Sequence, residues 1–163
     1  NAGEDDYVLE LMTATHDRSW YNMIKIGATI TLEAWDMKYK TNADWNHAWG
    51  AVPANIVARG MWGIHPKKPG FGVVAIAPQM GTLKNSAITV PTIKGQIKAE
   101  FKKINARNSE YLIELPANMV GEFDVRLSSE DVVTLNGETV NPMWGTIRLN
   151  PGMNKLSIRI NSF

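Results

Sequence analysis

The chain has no cysteine. Disulfides, thiolate metal sites and catalysis by a cysteine nucleophile are excluded together. It also lacks any apolar run near the roughly twenty residues needed to span a bilayer as a helix, and no secretory leader opens it. Neither sign of charge dominates: 17 Lys and Arg stand against 16 Asp and Glu, a formal net charge of +1. With no basic stripe in any segment, neither a nucleic acid nor a membrane surface is the expected partner. The three histidines, His16, His47 and His65, include no pair at ligand spacing. No metal and no other cofactor is therefore expected. The start at Asn1-Ala2, without an initiator methionine, reads as a cut, and the chain as a piece of something longer.

What is present divides near residue 65, where the hydrophobic period changes. Before it, apolar residues recur at helical spacing: Tyr7, Val8, Leu11 and Met12; Trp20, Met23 and Ile24; Val52, Ile56 and Met61. After it, alternation takes over, most cleanly in Ile93, Gly95, Ile97, Ala99 and Phe101 against Lys94, Gln96, Lys98, Glu100 and Lys102. Phe123, Val125 and Leu127 repeat the pattern, as do Leu156, Ile158 and Ile160. Further strands are expected over residues 71–77, 111–115, 132–135 and 145–149, with Asn136-Gly137 as a tight hairpin turn. Short strands with one apolar face each predict an antiparallel β-sandwich. The expected class is therefore α+β: a helical segment over residues 1–64, then a sandwich domain over residues 65–163.

At 163 residues the chain is long enough for one good core, or one core with an appendage. Residues 1–60 carry eight acids and five Lys or Arg, net −3, and the remainder is net +4. That difference is mild and screened, and no function is placed on it. Some sixty residues in three or four short helices rich in Trp and Met cannot close a core alone. An apolar face should be left over, and self-association through it is expected.

The chemistry concentrates between Trp20 and Trp49. Four tryptophans (Trp20, Trp35, Trp45, Trp49), one glutamate (Glu33) and one histidine preceded by an asparagine (Asn46-His47) fall within thirty residues. Tryptophans beside a polar cluster stack on the apolar face of a pyranose, while histidine, asparagine and carboxylate take up its hydroxyls. Thr29 is a candidate N-cap that would place Glu33 in the first turn of a short helix, where the dipole favours an ionised carboxylate. Spacing alone leaves two readings of Glu33, an ordinary first-turn acid or a general base. It leaves two readings of His47 as well, a structural donor at the start of the next helix or a ligand contact. At least two of the tryptophans are expected in the core. Asp36 and Asp44 read as solvated caps and turns, with contact to a sugar hydroxyl left open for Asp36.

The run Gly27-Ala28-Thr29-Ile30-Thr31-Leu32-Glu33-Ala34-Trp35 resembles the G-A-T-T-x-W-E-x-W signature of bacterial α-L-rhamnosidases of glycoside hydrolase family 78. Ser19-Trp20 resembles the lead-in to that signature, and Asn46-His47-Ala48-Trp49-Gly50 its asparagine-histidine element. Gly63-Ile64, Pro66, Pro69-Gly70-Phe71, Ile76 and Pro78 resemble the passage from the last barrel helix into the C-terminal sandwich, and Pro91-Thr92, Gly95 and Ile97 the strand that follows. The resemblance covers roughly residues 18–101.

It implies that residues 1–64 are the end of an (α/α)₆ barrel and that the parent is an inverting glycosidase acting on terminal α-L-rhamnosides. One carboxylic acid would protonate the leaving oxygen and one carboxylate would activate water, about 6.5–9.5 Å apart. By position in the motif, Glu33 would be the general base. His47, Trp35, Trp20, Asn46 and Trp49 would bind the sugar. The general acid would lie upstream, on barrel helices outside this chain, leaving the chain inactive alone. Ile30 and Leu32 depart from the motif's second threonine and first tryptophan, so a related deoxysugar stays open as substrate. The parent would be bacterial, and periplasmic and extracellular placements are both compatible with the sequence. A second reading also stays open, a non-catalytic carbohydrate-binding or structural sandwich with a helical adaptor. It would need exposed aromatics on the strands, where Trp144 is the one tryptophan after residue 65.

Overall fold

The computed structural model describes residues 3–128, 130–142 and 145–161; Trp144 lies outside them. The chain forms two compact units, Asn1–Gly60 and Met61–Phe163.

In the first unit, α1 (Asp5–Thr13) starts with Asp5 and Asp6 in its first turn, where the exposed amides favour negative charge. It buries none of its residues, and Tyr7 and Leu11 are exposed. α2 (Trp20–Lys25) is short but well stopped at both ends. Ser19 is extended and its hydroxyl accepts from Asn22 N–H at 3.2 Å. Gly27, at φ +86°, ends the helix. Its N–H reaches Ile24 O and that of Ala28 reaches Met23 O, both at 3.0 Å, a Schellman closure that only a residue tolerant of positive φ makes cheaply. The unit's small interior gathers Met23, Leu32 and Ala43 around the buried Ser19 and Asn22.

The helix expected from Thr29 through Glu33 is not formed. Residues 28–47 are irregular, and Thr29 is exposed with no helix following it. The backbone groups of this stretch find partners across the loop instead of four residues along. His47 N–H donates to Thr31 O at 2.9 Å, Glu33 N–H to Asp44 O at 3.0 Å, and Thr31 Oγ1 to His47 O at 2.8 Å. Adjacent β-branched Ile30 and Thr31 suit this extended course better than a helical turn. Regular structure resumes at the 3₁₀ turn Ala48–Ala51, α3 (Val52–Asn55) and a π turn, Ile56–Met61.

The second unit is a two-sheet sandwich. After β1 (His65–Pro66) come β2 (Val73–Ile76), β3 (Asn85–Thr92), β4 (Gly95–Lys103), β5 (Asn108–Leu115), β6 (Val120–Asp124), β7 (Val132–Leu135), β8 (Glu138–Val140), β9 (Thr146–Leu149) and β10 (Gly152–Arg159). One sheet has the order β1-β2-β6-β9 and the other β3-β4-β5-β10-β7-β8. Every ladder is antiparallel except β2 with β6, which pair in parallel from Val73↔Val120 to Ile76↔Phe123. The alternation read in residues 93–102 holds in β4, where Ile97, Ala99 and Phe101 are buried and Lys98, Glu100 and Lys102 exposed. Ile93 and Gly95 are exceptions, Ile93 being 84% exposed in the turn before β4 and Gly95 exposed at its first position.

Val74, Ile76, Phe123, Ile147 and Leu149 from one sheet meet Ile97, Phe101, Tyr111, Ile113, Leu156 and Val133 from the other. Tyr111 packs against both Phe101, tilted, and Phe123, edge-on, with ring centres 5.0 and 5.1 Å away. Burial pushes its hydroxyl pKa up to about 12. Trp62, fully buried, approaches Tyr111 edge-on at 6.4 Å and donates from Nε1 to Ser86 Oγ at 3.2 Å. Among the described residues of this unit no aromatic side chain is exposed.

Candidate active site

The site lies within the first unit, where the irregular segment around Thr31–Trp35 meets α2 and the Asp44–Gly50 stretch. Trp20, in the first turn of α2, donates from Nε1 to Gly50 O at 2.7 Å. Its ring meets that of Trp35 edge-on, with centres 5.0 Å apart and planes at 88°. Trp35 is held in turn through its carbonyl, which accepts from Asn22 Nδ2 at 2.9 Å. A cleft of about 260 Å³ is lined by both tryptophans with Met23, Leu32, Glu33, Ala34, Trp49 and Gly50. That is slightly below the usual range for drug-sized ligands and suits a single sugar ring. Gly50 is small of necessity: a Cβ there would sit 2.8 Å from both Leu32 O and Thr31 Cβ.

Glu33 is the one acidic residue in this lining, and its side chain is 14% exposed. Oε1 accepts from the Lys40 ammonium and Oε2 from Asp44 N–H at 3.1 Å. The Lys40 hydrogen bond, then the Asp44 amide, hold its pKa below the ordinary glutamate value. The carboxylate is therefore ionised at neutral pH. This ionisation arises from an ammonium and one loop amide, not from the helix dipole expected of a first-turn position.

His47 stands beside it. Glu33, Asp44 and His47 offer donor atoms within 4.8 Å of one another, and His47 Nδ1 is 3.4 Å from Asp44 Oδ2. A cation gathered by these three would have to compete with the Lys40 ammonium for Glu33. The His47 ring packs on Trp49 with centres 4.3 Å apart and planes at 35°. Trp49 is itself 65% exposed.

Of the residues singled out from sequence, Glu33, His47, Trp20, Trp35 and Trp49 converge here. Asn46 does not, since its side chain is exposed and makes no hydrogen bond to the cluster. Asp36 serves a turn, as expected, accepting from Lys38 N–H at 3.1 Å. Asp44, read as a cap, proves to be part of the cluster through both its backbone and its carboxylate. The i,i+3 spacing from Asp44 to His47 was the available signal. Lys40 carried no signal at all, because only the return of the loop brings it to Glu33.

Residues 1–61 match the family model for the bacterial alpha-L-rhamnosidase 6 hairpin glycosidase domain, and residues 63–142 match that for the bacterial alpha-L-rhamnosidase C-terminal domain. The chain belongs to the bacterial α-L-rhamnosidase family. An alpha-L-rhamnosidase of Alteromonas sp. (strain LOR) is 28% identical over 132 residues, which is 75% of this chain and 14% of that protein. The alpha-L-rhamnosidase structure from Dictyoglumus thermophilum superposes with a TM-score of 0.78 at 25% identity, over 96% of this chain and 19% of that one. The Streptomyces avermitilis alpha-L-rhamnosidase, whose structure is a complex with L-rhamnose, superposes with a TM-score of 0.74 at 21% identity, over 94% of this chain and 16% of that one. The chain thus spans less than a fifth of the rhamnosidases it matches, and the Glu33 cleft falls in the part matched by the 6 hairpin glycosidase domain.

Proposed function

We propose that the 163 residues are part of an inverting glycosidase that removes terminal α-L-rhamnose from glycosides, with Glu33 as the general base. One observation carries this reading: a carboxylate held ionised lies on a tryptophan-walled cleft the size of one sugar ring, beside an imidazole. An ionised carboxylate can take a proton from water as that water attacks the anomeric carbon. Trp20, Trp35 and Trp49 offer apolar faces to the pyranose, and His47 a ring nitrogen to a hydroxyl. Asn46, exposed in this structure, would join only by turning inward.

Protonation of the leaving oxygen requires a second carboxyl on the opposite face, about 6.5–9.5 Å from the first. Among the described residues Glu33 is the sole acid lining the cleft, and the reading places that second group on helices beyond these residues. The isolated chain is accordingly inactive, since it can neither enclose the sugar nor assist departure of the aglycone. In the full-length parent, Glu33→Gln should abolish hydrolysis of an aryl α-L-rhamnoside with circular dichroism unchanged. Near-normal turnover by that variant would reject the role of Glu33, and turnover by the isolated chain would reject the need for a second carboxyl. The exposed Tyr7, Leu11, Tyr21, Ile24 and Ile30 of the helical unit also support self-association of the chain by itself.

A further inference from the structure

Both oxygens of Glu33 are engaged from a single stretch of chain, residues 36–44. The stretch is a succession of tight turns: Tyr39 N–H donates to Asp36 O at 3.1 Å, Lys40 N–H to Met37 O at 3.2 Å, and Ala43 N–H to Lys40 O at 3.1 Å. It is anchored at its start by the buried Asn22 of α2, whose Nδ2 reaches Trp35 O at 2.9 Å and Asp36 Oδ2 at 3.4 Å. It is anchored at its end by Glu33 N–H donating to Asp44 O at 3.0 Å. Between these anchors Lys40 places its ammonium on Oε1 and Asp44 its amide on Oε2.

We infer that Lys40 and Asp44 are positioning residues, forming a clamp that orients the Glu33 carboxylate on the cleft. A single donor would leave the carboxylate free to swing about its last side-chain bond. Two donors on opposite oxygens fix its plane. The charged groups that face Glu33 are the Lys40 ammonium, the His47 imidazole and the Asp44 carboxylate, and the ammonium is the one in direct contact. The clamp trades base strength for availability. A carboxylate stabilised by a cation is a weaker proton acceptor, yet it stays charged further into acid. The acid limb of any reaction that uses Glu33 as base would then be set by Lys40. That catalytic meaning rests on the proposed role of Glu33, whereas the clamp itself is a property of this chain.

The test is a carbon-detected NMR titration of the Glu33 side-chain carboxyl in the 163-residue chain, with Glu33→Gln used for assignment. Lys40→Met should raise the midpoint toward that of a free glutamate. Lys40→Arg, which keeps the cation, should leave it low. In the unmodified chain the Asp44 amide proton should titrate with the same midpoint, because that N–H donates to Oε2; this reading needs no variant. An unmoved midpoint in a folded Lys40→Met, or an Asp44 amide indifferent to the titration of Glu33, overturns the clamp even if Glu33→Gln silences the full-length enzyme. Conversely, an active Glu33→Gln parent removes the base and leaves the titration result standing, so the two failures are told apart.

Discussion

Glu33 shows how much a single ionisable side chain can report about its surroundings. Its folded pKa is depressed, first by Lys40 and then by the Asp44 amide, so the sign of its linkage to stability is fixed. The contribution is fully present above the unfolded carboxylate pKa and is lost as pH falls through the folded one. Urea unfolding should therefore find the chain more stable than its Glu33→Gln variant at neutral pH, with the gap closing in acid. A gap that widened in acid would mean that the carboxyl is held protonated. The effect should be small and should shrink in high salt, because Lys40 is largely exposed. His47 and Trp49 interact differently, through stacked rings, and neutral salt should leave that contact in place.

At the scale of elements, α2 depends on its two ends more than on its length. Six residues make a marginal helix in isolation. Ser19, 1% exposed, both caps the helix and donates to His16 O at 2.5 Å. Ser19→Ala should cost about 1 kcal/mol, read as a lower urea midpoint for loss of helical circular dichroism, and a change of less than a few tenths would show the cap to be idle. The elements best read from sequence are those whose period and punctuation agree. The strand expected over residues 132–135 and the Asn136-Gly137 turn form as read, and both turn residues take positive φ, 53° and 91°. β3 was harder to see, because Ser86 and Thr92 dilute the inward face that Ile88 and Val90 supply, and Pro91 is tolerated only through the strand's edge position. The helix expected around Glu33 failed for a different reason. Thr29 looked like a cap, but Gly27 had already ended α2 and the backbone beyond it paired with Asp44–His47. Local signals cannot register a partner that arrives from across a loop. The same limit hid Lys40 and Asp44, whereas the glutamate, the histidine and three of the tryptophans were legible because motif order brought them forward together.

At the scale of the whole molecule, the two units differ in how completely they enclose themselves. The sandwich buries an aromatic chain from Trp62 through Tyr111 to Phe123. The helical unit leaves Ile24 70% and Trp49 65% exposed. Apolar surface of that extent makes association in water favourable. Sedimentation of the isolated chain should show an average mass that rises with concentration, and a strictly monomeric profile at high concentration would count against the exposed helical face as the associating surface. If the proposed full-length parent covers this face, the parent should not show the rise.

The parallel partnership of β2 with β6 has a consequence for how the protein must be made. Val73–Ile76 leaves the ribosome long before Val120–Asp124 does, and β3, β4 and β5 are synthesised in between. Through that interval one flank of a Val-Val-Ala-Ile ribbon waits with its amides and carbonyls open to any strand that passes, a vulnerability that vectorial synthesis cannot remove. Slower translation would lengthen the wait, so expression yield should depend on chaperone supply and growth temperature more steeply than the finished sandwich would suggest.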